Sequence, residues 1–198
     1  AEGEGAGKLA LCPTPRLALG DSQVEIEVLA TGLNFKDVLF TTGLLRQQPG
    51  EAPLQLGLEC AGRITRVGKN VTEFAPGEDV MAVLNGGFVQ YARVESDCVV
   101  RKPAHCRIEQ AAALPIAYLT AYYALVVRAN LQPGERVLIH SAAGGVGLAA
   151  LHIAKRCGAQ IFATAGSEQK RDYLLSLGVH AVADSHDEQF AATLLTAS

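Results

Sequence analysis

The feature that most constrains this 198-residue chain is the short apolar run Arg136-Val137-Leu138-Ile139-His140, followed directly by Ser141-Ala142-Ala143-Gly144-Gly145-Val146-Gly147. Residues 145–157 then place Val146, Ala149, Ala150, Ile153, Ala154 and Cys157 on one helical face, and Gly158 stands at the C-cap position. Strand, glycine-rich turn and helix in this order form the context that a dinucleotide-binding turn requires. Gly144 lets backbone approach a pyrophosphate, and Gly147 lets the helix pack close to the strand. The helix start supplies N–H groups and a partial positive charge. All seven residues from Ser141 to Gly147 are therefore candidate cofactor ligands. The match is partial, because Ala142 fills the first glycine position of G-x-G-x-x-G.

The pattern continues with a strand over 160–164, a helix over 167–177 stopped by Gly178, and a strand over 179–183. Ser185-His186-Asp187-Glu188 reads as a capping box opening a third helix. This β-α-β-α-β-α order predicts a parallel sheet with right-handed crossovers. The first half differs. Val24, Ile26 and Val28 alternate with Gln23, Glu25 and Glu27, as in a half-buried strand. Residues 34–40 suit a short helix and 46–53 a loop. Short apolar stretches at 63–67, 79–84, 88–94 and 98–101, separated by glycine turns, point to a small barrel or sandwich. Segments 108–114 and 118–129 look helical. The expected domains are 1–105, opened by a Gly/Glu-rich linker at 1–7, and 106–198. The expected class is α/β with an N-terminal domain rich in β structure.

A net charge of -3 gives no electrostatic case for nucleic acid or an anionic membrane. By inspection, no apolar run approaches the roughly 18 residues of a membrane span. The five cysteines contain no Cys-x-x-Cys pair, which argues against a zinc ribbon or disulfide scaffold and for free thiols in a reducing cytoplasm.

Selection of the unphosphorylated dinucleotide calls for Asp or Glu about 20 residues past the glycine turn. Here the second strand ends in Thr164-Ala165-Gly166-Ser167, with Lys170 and Arg171 one turn later. A neutral pocket with nearby cations suits the 2′-phosphate of NADPH, so Thr164, Ser167, Lys170 and Arg171 join the candidate cofactor site. Glu168 suits the positive end of the second helix.

Gly32-Leu33-Asn34-Phe35-Lys36-Asp37-Val38-Leu39, Gly57-Leu58-Glu59-Cys60-Ala61-Gly62, Leu119-Thr120-Ala121-Tyr122-Tyr123-Ala124-Leu125 and the stretch from His140 to Gly147 occur in this order. Together they resemble the enoyl reductase domain of modular polyketide synthases and animal-type fatty acid synthases, in the medium-chain dehydrogenase/reductase group. The resemblance implies a GroES-like barrel followed by a Rossmann doubly wound sheet. It implies NADPH-dependent reduction of a trans-2-enoyl chain on an acyl carrier protein, among flanking synthase domains. It also places Asn34 and Thr120 near the nicotinamide and substrate carbonyl, as catalytic candidates for orientation or oxyanion contact.

Related alcohol dehydrogenases bind zinc through a Cys at the position of Asn34 and a His at the position of Leu58. Without those ligands no metal is expected, and Asp37 and Glu59 are expected to be structural. Related enoyl reductases carry a Tyr where Leu45 falls. Leu45 is therefore a substrate-pocket candidate with no proton to give, and for a methyl-branched substrate the resemblance implies the stereochemical outcome of enzymes without that Tyr. A complete sheet of this fold has about six strands, so the expectation is a fragment that by itself binds NADPH weakly or not at all. The competing readings are a free-standing quinone or enone reductase and a non-catalytic remnant that scaffolds a synthase.

Overall fold

The computed structural model describes residues 10, 12–45 and 55–196, so the linker expected at 1–7 and the loop expected at 46–53 lie outside the described residues. Two compact units divide between Pro115 and Ile116.

The first unit holds β1 (Gln23–Thr31), α1 (Phe35–Thr41), β2 (Glu59–Val67), β3 (Asp79–Val83), β4 (Tyr91–Glu95), β5 (Val99–Arg101) and α2 (Ile108–Ala111). The strands form one antiparallel sheet in the order β4-β1-β2-β3-β5. Register shifts at Glu25/Ile26 and Val28/Ala30 bend β1. Val24, Ile26, Cys60, Ile64, Val80 and Val94 make the core. A second cluster joins Ala61 of β2 to Ala111 and Ala112. Packing of α2 onto this sheet explains why the unit runs to Pro115 rather than to 105.

Alternation along β1 holds for the apolar residues but not for Glu25, which was expected to face solvent and is 1% exposed. Its carboxylate accepts hydrogen bonds from Arg16 Nε (3.0 Å), Arg66 Nε (2.9 Å) and Thr65 Oγ1 (2.6 Å), and both arginines also form ion pairs with it. Arg16 lies over the Tyr91 ring at 4.3 Å. The surrounding guanidinium groups hold the Glu25 carboxyl well below the usual carboxylate range, Arg66 contributing most.

The second unit takes in most of α3 (Pro115–Tyr122), a π-helical turn (Tyr123–Arg128), β6 (Arg136–Ile139), α4 (Gly145–Arg156), β7 (Gln160–Ala165), α5 (Glu168–Ser176), β8 (Ala181–Asp184) and α6 (Phe190–Thr196). The strands are parallel in the order β6-β7-β8. Ile161, Ala163 and Ala165 of β7 pack with Ala150, Leu151 and Ala154 of α4 and Leu174 of α5. Phe162, on the alternate side of the strand, packs with Leu194 of α6. So α4 and α5 cover one face and α6 begins the other, as a doubly wound sheet requires.

Two local expectations change. Val146 is exposed and Cys157 half-buried, whereas Ala149, Ala150, Ile153 and Ala154 of the expected α4 face are buried, joined by Gly147 and Leu151. The sequence 185–188 does not cap a helix. Asp184 and Asp187 side chains accept the His186 and Gln189 N–H groups at 2.9 Å each, and α6 starts only at Phe190. The stretch Ile108–Arg128 is long and apolar enough to cross a membrane by length and composition, contrary to the reading by inspection. It is interrupted between α2 and α3, and Ala111 and Ala121 are buried in separate protein cores.

Candidate functional site

In the second unit β6 ends in a left-handed step: Ser141 has φ 51°. Three contacts hold it against β7. The Ser141 N–H donates to Thr164 Oγ1 at 3.3 Å, and the Ala142 N–H donates to Thr164 O at 3.0 Å. His140 Nδ1 lies 3.2 Å from the same hydroxyl. The Gly144 N–H closes the turn on Ser141 O at 2.9 Å, and α4 begins. Gly144 and Gly145 are exposed, and the first-turn N–H groups of Gly145, Val146 and Gly147 have no acceptor within the helix. This is the open, N–H-rich mouth an anion needs. Gly147 is required for a different reason: a Cβ there lies 2.6 Å from Ala142 Cα, which is backbone and cannot yield.

Of the predicted residues, those from Ser141 to Gly147 gather at this mouth. Thr164 does not face outward. It is 1% exposed and its hydroxyl is occupied, so it shapes the turn instead of contacting a ligand. Ser167 is the N-cap of α5 and accepts the Lys170 N–H at 3.4 Å. Lys170 is exposed. Arg171 is half-buried, its Nη1 donating to Ala165 O (3.2 Å) and pairing with Asp184 Oδ2 (2.8 Å). Sequence spacing missed Asp184 because it stands on β8, one strand over.

The first unit holds the second cluster. Asn34 Nδ2 donates to Glu59 Oε1 at 2.9 Å, which fixes the orientation of the carboxamide. Glu59 and Asp37 are both 3% exposed. Asp37 accepts the N–H groups of Asn34 and Gly57 at 2.9 Å each, tying the start of α1 to the strand entry. Gly32 makes room for Glu59, since a Cβ there lies 2.6 Å from its Cδ. Leu45 follows α1, is 38% exposed, and is held by its N–H to Leu39 O at 2.9 Å. Thr120 belongs to the other unit, exposed on α3 just before the π-helical turn.

The donor set does not fit a zinc ion. Asn34 offers a carboxamide already committed to Glu59, and Leu58 offers nothing. Among the described residues no three His, Cys, Asp or Glu side chains converge. Cys60 lies in the sheet core with its thiol pushed up to about 12 by burial, with the Glu59 charge adding to it.

An antiparallel sheet unit followed by a parallel unit with a glycine-rich strand-to-helix turn defines the alcohol-dehydrogenase class of two-domain oxidoreductases. Residues 20–104 match the alcohol dehydrogenase GroES-like domain, and residues 145–198 match the family described as zinc-binding dehydrogenase. The chain belongs to the medium-chain dehydrogenase/reductase family, among the enoyl reductase domains of polyketide synthases. It is 46% identical over 173 residues to a phenolphthiocerol/phthiocerol polyketide synthase of Mycobacterium tuberculosis, covering 87% of this chain and 8% of that protein. Among solved structures it resembles the CurK enoyl reductase, with TM-score 0.88, 42% identity, 93% of this chain and 58% of that one. It also resembles Escherichia coli quinone oxidoreductase complexed with NADPH, with TM-score 0.80, 31% identity, 93% of this chain and 57% of that one. The chain thus spans a small part of the synthase and little more than half of each solved enzyme.

Proposed function

We propose that this chain is the substrate-domain and cofactor-cradle part of an enoyl reductase. The enzyme reduces a trans-2-enoyl thioester on an acyl carrier protein, with NADPH, in the cytoplasm and beside other polyketide synthase domains. The observation that carries the reading is the 42% identity to the CurK enoyl reductase over 93% of the chain.

When bound, NADPH supplies hydride to Cβ of the enoyl chain. The residues around it have simpler tasks. The turn from Ser141 to Gly147 binds the pyrophosphate, and Lys170 and Arg171 take the 2′-phosphate. Asn34, oriented by Glu59, and the Thr120 hydroxyl are the uncharged polar groups for the nicotinamide amide and the thioester oxygen. Leu45 lines the substrate pocket and has no proton to transfer, so the Cα proton comes from another group or from water.

A second reading, reduction of a free quinone, is favoured by the likeness to the E. coli quinone oxidoreductase. The full-length protein, given NADPH with crotonyl-pantetheine or a quinone and followed by loss of NADPH absorbance, separates the two. Turnover of the thioester is expected. Turnover of quinones alone sinks the first reading, and no turnover of either favours a scaffolding remnant.

A further inference from the structure

The parallel register sets Ala165, the last residue of β7, opposite Asp184, the last residue of β8. Arg171 reaches back from the first turn of α5 and spans both through Nη1. The other carboxylate oxygen, Asp184 Oδ1, accepts the His186 N–H at 2.9 Å, so the carboxylate is itself fixed. The His186 ring closes over Gly166: a Cβ there lies 2.6 Å from its Nε2. A half-buried cation is therefore held beside the turn from β7 to α5 by a backbone carbonyl and an anchored carboxylate.

We infer that Asp184 is a positioning residue for cofactor selection: it holds the Arg171 guanidinium at the end of β7 so that it pairs with the 2′-phosphate. The inference rests on the NADPH reading above. Both contacts use Nη1, and a guanidinium carries five N–H donors in a planar fork. Neither contact uses Nε or Nη2, which leaves those donors for phosphate oxygens. An arginine already ordered loses less side-chain freedom on binding than a mobile one. The Asp184 charge acts in the opposite sense, since it repels a phosphate. Asp184→Asn removes the charge but keeps an acceptor for Nη1, whereas Asp184→Ala removes both.

The test compares KM and kcat for NADPH and NADH in the full-length protein. Asp184→Ala is expected to raise KM for NADPH about tenfold, the worth of one charge-assisted hydrogen bond, and to leave NADH kinetics unchanged. Asp184→Asn recovers most of that loss, and Arg171→Ala abolishes the preference. An unchanged NADPH-to-NADH ratio in Asp184→Ala overturns the inference, as do equal losses with both cofactors. Lower KM for NADPH in both Asp184 variants also overturns it, because the carboxylate then acts only as a repelling charge. An unmutated enzyme with no preference for NADPH overturns the cofactor reading itself, and the inference with it.

Discussion

Thr164 Oγ1 accepts the Ser141 N–H at 3.3 Å, so a buried hydroxyl on β7 holds the left-handed step at the end of β6. A non-glycine residue at positive φ needs such outside support. Thr164→Val keeps the volume and removes the acceptor. The loss of stability is expected to be about 0.5–1.5 kcal/mol, the net worth of one part-buried hydrogen bond whose donor lies on exposed Ser141. KM for the dinucleotide rises with it, and Thr164→Ser retains both properties. Denaturant titration together with cofactor kinetics checks this. Equal behaviour of the Val and Ser variants refutes the role given to the hydroxyl.

Gly147→Ala introduces a methyl group 2.6–2.7 Å from the Cα, C and O atoms of Ala142. Backbone on both sides must part, so α4 lifts from the turn. The expected cost is about 1–3 kcal/mol, as for other overpacked sites, with loss of cofactor binding. Gly145→Ala, where a Cβ meets nothing within 4 Å, is the control and is expected to leave stability nearly unchanged.

Glu25→Ala leaves Arg16 and Arg66 facing a void. Both arginines are partly exposed and rehydrate, so the expected loss is near the low end for broken buried pairs, about 3 kcal/mol. The pH dependence follows from the depressed carboxyl. Its contribution is complete above the ordinary glutamate value of about 4.3 and is lost as pH falls below it toward the folded value. Acid unfolding curves of the parent and of Glu25→Gln are expected to converge at the acid end. Parallel curves contradict this.

Cys60 behaves in the opposite direction. Its folded thiol titrates at about 12, whereas the unfolded thiol titrates near 8.5. Stability is therefore expected to fall as pH rises from about 8.5 toward about 12, because only the unfolded chain releases the proton there. Cys60→Ala flattens that limb. In the native protein an alkylating reagent is expected to label exposed Cys12 and Cys98 and to reach Cys60 only on unfolding.

Periodicity and glycine spacing made the second unit legible: β6, α4, β7 and α5 fall within a few residues of their expected bounds. What escaped notice depends on partners distant in sequence. Glu25 read as a surface residue because nothing local announces Arg16 and Arg66 above it. Thr164 read as a ligand because its position at a strand end is visible and its bond to Ser141 is not. Asp184 lay outside the expected pocket because pairing of β8 with β7, not sequence distance, brings it to Arg171. The Asn34–Glu59 contact was equally hidden, since the two residues meet only when β1 and β2 pair.

The Glu25 cluster also changes the standing of the segment that precedes β1. Residues 12–20 contribute no strand, yet Arg16 is fastened to the sheet through the same carboxylate that Arg66 uses. An arginine-directed protease needs that side chain in its own pocket, so cleavage after Arg16 must wait for the clamp to open. Its rate then reports release of the Arg16 clamp rather than the looseness of a tail.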